Sequence, residues 1–280
     1  MATREWRNAL SPAGRAAPGA PVIALIAAHP DDEVIGAGSL IPSMKRDWLV
    51  HVTDGAPRDL VDAYTNGSIT REQYAAARHR ESRAALALAG FPEDRLIPMD
   101  LVDQETLLDL AGLARALCVV MTRLTPEAVL THPYEGGHPD HDATAFAVHA
   151  GRALLSRSKQ HPGPPVPEVL EMACYHAGPD GEMIQGRFLS GDGPPIEHEP
   201  TKEELDLKRR MVACFSSQRS TLSAFDLRVE RYRLAPSYDF TKPPHMGRLF
   251  YERLPWGVDG AHFARLAREA LTSLGLEGPL

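Results

Sequence analysis

Apolar residues along the chain form short continuous runs that alternate with longer periodic segments. The run over residues 21–28 is rich in β-branched residues, which is typical of a strand buried on both faces of a sheet. The same criteria predict further strands over residues 48–53, 95–99, 127–131 and 168–175. Helical spacing or capping signals predict helices over residues 36–45, 70–89, 104–123, 142–157, 203–215 and 261–275.

This alternation of strands and helices predicts an α/β fold. We expect a Rossmann-like three-layer sandwich with a mostly parallel sheet and a loop-rich C-terminal portion. Residues 1–20 mix Arg with Ala, Gly and Pro, and we predict a flexible leader there. Residues 21–280 are predicted to be a single domain, with its core over residues 21–157 and its C-terminal portion over residues 158–280.

Composition and charge exclude several classes of protein. The chain has 280 residues and a formal net charge of −7, which argues against a nucleic-acid partner because backbone binding needs clustered Lys and Arg. It has no apolar run long enough for a membrane span. Three widely spaced cysteines suit buried thiols in a reducing compartment, so we expect a cytoplasmic protein. The sequence leaves a homo-oligomer open.

Two clusters of His and carboxylate residues follow predicted strands. AHPDDE occupies residues 28–33 after the first strand, and HPDH occupies residues 138–141 after the fourth. Open α/β sheets bind ligands at the carboxyl ends of their strands. Catalytic zinc takes three protein ligands and leaves one position for water. His29 and Asp32 are three residues apart and suit one ion, with His138 or His141 as the third ligand.

At these residues the chain resembles the PIG-L/LmbE-like family of zinc-dependent deacetylases, which remove acetyl groups from N-acetylglucosamine conjugates. The likeness extends over about residues 21–150. It has further support in Thr53-Asp54-Gly55, in Arg78 and Glu81, and in Ser217-Gln218. It is thin beyond residue 150, so we expect residues 158–280 to shape the substrate pocket of a single deacetylase domain.

The resemblance implies a role for each residue of the two motifs. It implies that His29, Asp32 and His141 bind zinc and that Asp31 is the general base. His138 would stabilise the oxyanion or donate a proton, and Asp140 would orient His138 or tune its charge. Arg58 and Asp103 match positions where the family binds sugar hydroxyls. The partner implied is a small-molecule amino-sugar substrate.

Three supporting features have more than one interpretation. Glu33 would either hydrogen-bond a ligand or backbone group near the metal, or accept from N–H groups at the following helix start. Arg78 and Glu81 are three residues apart on a helix, which predicts a modest ion pair. Gly136-Gly137 would let the backbone approach a ligand closely.

The sequence therefore predicts a zinc-dependent N-deacetylase, a hydrolase that acts on the linear amide C–N bond of an N-acetylated amino sugar or its conjugate. Two alternatives stay open. One is a metal-dependent phosphoesterase, which His141-Asp142 alone would suggest, and the other is a non-catalytic sugar-binding protein on the same fold. Two His and one carboxylate also suit Fe(II) or another divalent metal.

Overall fold

The computed structural model describes residues 2–157, 165–189 and 194–280, with side chains described from residue 6 onwards. Its strands in these ranges are β1 (Ile23–Ala27), β2 (Trp48–Thr53), β3 (Leu96–Leu101), β4 (Ala128–Thr131), β5 (Glu168–Met172), β6 (Tyr175–Ala177), β7 (Met183–Gln185), β8 (Ile196–His198) and β9 (Glu230–Leu234). Its α-helices are α1 (Ala2–Ala9), α2 (Pro12–Ala16), α3 (Asp32–Ala37), α4 (Val61–Thr65), α5 (Arg71–Leu88), α6 (Leu110–Leu124), α7 (Pro139–Arg157), α8 (Lys202–Val212), α9 (Arg219–Leu222) and α10 (Gly260–Leu274).

A seven-stranded sheet in the order β3-β2-β1-β4-β5-β9-β8 forms the middle layer. The first five strands of that order run parallel, whereas β9 pairs antiparallel with both β5 and β8. A separate hairpin joins β6 and β7. The predicted mostly parallel sheet is confirmed.

The alternation of side chains along β1 explains why the sheet is covered on both faces. Leu25 packs in a cluster that includes residues of α3, α5 and α8, whereas Ile26 packs in a second cluster with residues of α6, α7 and α10. Successive strand residues point to opposite faces. A strand that is apolar at every position therefore needs helices on both sides, which gives the predicted three-layer sandwich.

The sheet has a topological switch point at β1. The chain runs from β1 outwards through β2 to β3, and then returns to pair β4 on the opposite side of β1. The carboxyl ends of β1 and β4 are therefore adjacent, with their outgoing loops diverging. In open α/β sheets this crevice is where ligands bind. Both predicted motifs leave the sheet here.

Residues 1–20, predicted as a flexible leader, contain α1 and α2 in the structure. Trp6 and Leu10 are buried in the same apolar cluster as Leu25. Arg15 forms a buried ion pair with Asp47 at 2.8 Å, and Asp47 also accepts the backbone N–H of Ile23 at the start of β1. The high content of Ala, Gly and Pro concealed these contacts, because the few residues that anchor the segment are scattered along it.

Three helix starts differ from the predictions, and the helix expected from residue 104 begins at Leu110. The helix expected from Gly36 begins at Asp32, and the helix expected from residue 142 begins at Pro139. Proline is favoured in the first turn of a helix, because the N–H groups of that turn have no acceptor within the helix and the N–H that proline lacks is not missed. His141 consequently lies on the first turn of α7. In the described part of the chain, no helix is both long and apolar enough to cross a membrane.

The C-terminal portion is rich in loops, as predicted, and it also extends the sheet through β5, β9 and β8. The predicted strand over residues 168–175 is divided between β5 and β6. Of the Pro- and Gly-rich stretch over residues 161–195, residues 161–164 and 190–193 lie outside the described ranges.

Candidate active site

The turn after β1 holds Asp31 in an unusual backbone conformation. Its φ of 146° lies in the region that residues other than glycine rarely adopt. The Asp31 N–H donates to Glu33 Oε2 at 3.0 Å, and that oxygen is 3.1 Å from His51 Nε2. Glu33 is fully buried. Backbone strain of this kind persists where surrounding contacts enforce it, and it concentrates at functional sites. Glu33 is one of those contacts.

Arg78 fixes the carboxylate of Asp31. Its guanidinium donates to Asp31 Oδ2 at 2.9 Å and to the carbonyl of Pro30 at 2.7 Å. Its distance to Glu81 is longer, at 3.9 Å, so the predicted Arg78–Glu81 pair is a secondary contact. Burial raises the pKa of Asp31 to about 7 against the opposing effect of Arg78, and the neighbouring Asp32 carboxylate adds to the rise.

His29, Asp32 and His141 converge at the switch point in a way that fits a metal ion. His141 Nε2 is 3.3 Å from His29 Nδ1 and 3.2 Å from Asp32 Oδ1, and His29 Nδ1 is 3.2 Å from Asp32 Oδ2. Tetrahedral coordination at about 2.0–2.2 Å places neighbouring ligand atoms roughly 3.3–3.6 Å apart. Two imidazoles and one carboxylate also match the ligand chemistry of zinc. The residues present therefore fit the metal that the sequence predicts.

The surrounding imidazoles keep Asp32 ionised. Burial acts to raise its pKa, but the electrostatic effect of the nearby imidazoles, largest from His141, outweighs burial and holds the pKa well below its usual value. An ionised carboxylate is the form that binds a metal.

A second group of possible ligands, formed by His132, His141 and Cys174, fits a metal less well. His132 Nε2 accepts the backbone N–H of Ala28 at 2.8 Å, and its Nδ1 is 3.2 Å from Cys174 Sγ. Both ring nitrogens are therefore engaged. Burial lowers the pKa of His132 well below its usual value, so the ring is neutral. The His132 ring stacks on the His141 ring with centroids 4.0 Å apart. His132 therefore serves to orient the candidate ligand His141 and not to bind a metal itself.

The Asp140 carboxylate lies closer to His29 than to His138. Its carboxylate accepts from the N–H of Gln104 at 2.6 Å and from the hydroxyl of Thr106, and it lies 3.2 Å from His29 Nε2. The distance from Asp140 Oδ2 to His138 Nδ1 is 3.9 Å. A carboxylate on the far nitrogen of a metal-binding imidazole fixes the ring and its tautomer. The carboxylate therefore orients the His29 ring. The family resemblance implied that Asp140 would orient His138 or tune its charge.

His138 is oriented by the backbone of Asp140. The Asp140 N–H donates to His138 Nδ1 at 3.1 Å. Burial lowers the pKa of His138 well below its usual value, so the imidazole is neutral and its proton is on Nε2. The Trp256 ring packs edge-on against His138 with centroids 4.6 Å apart. His138 is thus a neutral donor beside the candidate metal ligands.

These residues line one cavity of about 570 Å³. Asp31, His138 and the three candidate ligands line it, and so does Asp103, whose Oδ1 is 3.2 Å from His29 Nε2. Arg58 does not line the cavity: its side chain is 66% exposed and pairs with Glu105 at 2.6 Å. The structure therefore brings together every site residue named from the sequence except Arg58.

Gly136 and Gly137 serve packing within the protein. A Cβ on Gly137 would lie 2.1 Å from the carbonyl oxygen of Tyr175, and one on Gly136 would lie 2.7 Å from Leu249. These glycines were expected to let the backbone approach a ligand. In the structure Gly137 instead lets the backbone before α7 pack closely against β6.

Sequence reasoning missed the residues that the C-terminal portion brings to the cavity. Cys174, Tyr175, Phe225, Phe250 and Trp256 all line it. They are spread over 83 positions (174 to 256) in segments without a motif. An aromatic residue in a loop carries no local signal of which cavity it faces, so no feature of the sequence identified them. His132, by contrast, lies directly after β4 in the same stretch as His138, and that position was an available signal.

Residues 24–151 match the family model described as PIG-L: GlcNAc-PI de-N-acetylase. Over these residues, slightly less than half of the chain, the sequence is similar to that family. The matched residues extend from β1 into α7 and include both motifs of the candidate site. Among the curated proteins, none matches the chain.

Solved structures with this fold include deacetylases. The teicoplanin deacetylase Orf2 superposes with a TM-score of 0.55 at 14% identity, covering 76% of this chain and 98% of that one. The N,N'-diacetylchitobiose deacetylase from Pyrococcus horikoshii gives a TM-score of 0.55 at 19% identity, covering 77% and 84%. GalB, the 4-carboxy-2-hydroxymuconate hydratase from Pseudomonas putida, gives 0.50 at 19% identity, covering 76% and 95%. The fold therefore serves more than one reaction, and the function must be argued from the site.

Proposed function

We propose that the protein is a metal-dependent hydrolase that removes the acetyl group from an N-acetylated amino sugar of the N-acetylglucosamine type, or from a conjugate of one. The observation that carries this proposal is the convergence of His29, Asp32 and His141 at metal-ligand spacing, with Asp31 and His138 on the same cavity. The family match and the deacetylases that share the fold support it.

His29, Asp32 and His141 would hold the metal, and zinc is the ion that this donor set fits best. When bound, the metal would activate a water molecule and polarise the acetyl carbonyl. Asp140 and His132 would keep the ligand imidazoles in place through the contacts at His29 Nε2 and on the face of the His141 ring.

Asp31 would accept the proton of the attacking water at its carboxylate. Arg78 holds that carboxylate in one orientation, so the base does not reorganise as the proton moves. General-base assistance is typically worth about 10²–10⁴-fold in rate. The net reaction adds water across the amide and yields acetate and the free amine.

His138 would donate a hydrogen bond from Nε2 to the oxygen that becomes negatively charged during attack. Its Nδ1 is engaged by the Asp140 N–H, which directs the proton to the opposite nitrogen. A donor fixed in advance stabilises a developing oxyanion because it need not reorient during the reaction.

Release of acetate from methyl N-acetyl-β-glucosaminide tests the proposal. Protein loaded with zinc or Fe(II) should release acetate, treatment with a chelator should abolish release, and adding the metal back should restore it. Phosphate release from a sugar phosphate without acetate release would instead favour a phosphoesterase. Binding of the sugar with no release of either product would favour a non-catalytic binding protein.

A further inference from the structure

The candidate cavity has an apolar side that the deacetylation chemistry does not use. Tyr175 packs edge-on against the ligand His141 with ring centroids 5.5 Å apart. Phe225 and Phe250 then pack against Tyr175 at 5.7 and 5.4 Å. The three rings and Leu254 all line the cavity. An aromatic surface therefore extends outwards from the metal ligands by more than one ring.

The mouth of the cavity carries acidic residues, in contrast to this aromatic side. Asp59 and Asp62 line it in an exposed position, and Asp103 lies deeper. Asp103 and Gln104, close to His29, offer acceptors and donors that suit sugar hydroxyls.

Among the described residues that line the cavity, Arg78 is the sole Lys or Arg. Its side chain is 2% exposed and is already committed to Asp31 and Pro30. A phosphate or carboxylate on the substrate would find no unpaired cation among these lining residues and would face the three aspartates. Like charges brought together at a binding site reject a ligand without any need for a steric clash.

We propose that the preferred substrate is an uncharged N-acetyl amino sugar with an apolar aryl or alkyl aglycone, which packs on Tyr175, Phe225 and Phe250. The inference rests on the proposed function and names the substrate class of that site. The acetyl group must lie at the metal ligands, so the sugar ring spans the region beside Tyr175. In a 2-acetamido sugar the anomeric carbon is next to the carbon that bears the acetamido group, so an anomeric aglycone begins near Tyr175 and extends towards Phe225 and Phe250. Anionic conjugates such as sugar phosphates are disfavoured.

The test compares kcat/KM for acetate release from a panel of N-acetyl-β-glucosaminides. Phenyl and hexyl glycosides should exceed the methyl glycoside by at least tenfold, because the methyl aglycone is too short to cover the aromatic surface. N-acetylglucosamine 1-phosphate should fall at least tenfold below the methyl glycoside. Values within threefold of one another would overturn the inference. Preference for diacetylchitobiose, for an N-hexanoyl group or for the phosphate would overturn it too.

Paired variants locate the effect. Leu254 is 37% exposed and lines the cavity, whereas Leu88 is 46% exposed and lies outside it. Leu254→Ala should therefore lower the ratio of kcat/KM for the phenyl glycoside to that for the methyl glycoside. Leu88→Ala should leave this ratio unchanged. Asp62→Asn should raise the relative rate with the phosphate, and Asp206→Asn on the exposed face of α8 should not. An unchanged ratio in Leu254→Ala would contradict the assignment of the apolar side.

Failure of this inference differs from failure of the proposed function. Acetate release without a preference among glycosides would contradict the proposed substrate class and leave the proposed deacetylase function standing. Should no glycoside release acetate, the proposed function fails, and calorimetric titration with the phenyl and methyl glycosides still decides the inference. Tighter binding of the phenyl glycoside supports the apolar side, and equal binding overturns it.

Discussion

At the scale of single residues, Arg78 connects the candidate base to the rest of the molecule. Its guanidinium bonds Asp31 Oδ2 and the Pro30 carbonyl, and Glu81, one turn along α5, lies 3.9 Å away. Glu81 in turn accepts from the N–H and the hydroxyl of Ser217. The orientation of the base thus depends on a buried cation that the C-terminal portion helps to anchor.

Replacing Arg78 tests this positioning role. Arg78→Gln should lower kcat about 10²-fold, because misplacing a reacting group by about 1 Å has effects of this size. KM and metal content should change little, and Arg78→Lys should retain more of the rate by keeping the charge. Circular dichroism and Tm report whether each variant is folded. A folded Arg78→Gln protein with kcat within twofold of the wild type would contradict the role.

At the scale of elements, the start of α7 fixes half of the site. Pro139 begins the helix, which places His138 just before it and His141 on its first turn. Gly137 lets this start approach the backbone of Tyr175. The metal site therefore depends on how closely α7 packs against β6.

Gly137→Ala should move the α7 start and weaken metal binding. The added methyl group would lie 2.1 Å from the Tyr175 carbonyl oxygen, and overpacking of this kind typically costs about 1–3 kcal/mol. Metal analysis after dialysis should show reduced metal in the variant, together with a lower Tm.

Gly275→Ala is the matched control for that variant. Gly275 ends α10 with a φ of 64°, and an added methyl group would have nothing within 4 Å, so its replacement destabilises the protein by backbone strain alone. It should lower Tm and leave the metal content unchanged. Equal metal loss in both variants would show that global destabilisation, and not the α7 start, controls metal binding.

The elements were predictable from the sequence to different degrees. β2 and α5 were predicted within a residue or two, because the apolar run of β2 and the Thr70 cap that accepts the Gln73 N–H are local signals. The start of α7 was missed although Pro139 is a local signal, and the start of α3 follows Asp31, which Arg78 of α5 holds in place. The candidate metal ligands could be named from two motifs, whereas the orientation of the Asp140 carboxylate depends on the N–H of Gln104, 36 residues earlier in the chain.

At the scale of the whole molecule, burial of ionisable groups couples stability to pH. His149 on α7 is buried against Tyr238 and Phe240, and its Nε2 has no hydrogen-bond partner among the described residues. Burial lowers the pKa of His149 from 6.5 to about 4, with a smaller effect from the nearby Arg152. The folded protein therefore favours the neutral ring.

The depressed pKa of His149 predicts a loss of stability in acid. The neutral ring contributes fully above pH 6.5, and the contribution is lost as the pH falls towards 4, because the unfolded chain then binds a proton that the folded chain resists. The shift corresponds to about 3 kcal/mol in the free energy of unfolding. Urea unfolding of wild-type protein and His149→Phe at pH 7 and pH 4 measures it. A difference between the two proteins that does not change with pH would contradict the assignment.

The whole-molecule arrangement also explains what the sequence could not predict about substrate choice. The aromatic side of the cavity is assembled from residues 175, 225 and 250, which become neighbours only after β5, β9 and the following loops have packed. Each of the two motifs is continuous in sequence because each lies in the segment that follows a single strand. The proposed substrate surface is discontinuous in sequence, so it can be recognised only once the fold is known.

The proposed deacetylation depends above all on Asp31 as the base, so replacing its carboxylate is the decisive experiment. Acetate release from methyl N-acetyl-β-glucosaminide is compared between wild type and Asp31→Asn at matched metal content, with Asp206→Asn as the surface control. We expect a loss of about 10²–10⁴-fold in Asp31→Asn alone. Acetate release within tenfold of the wild type in Asp31→Asn, or no acetate release from the metal-loaded wild type, would contradict the proposed mechanism.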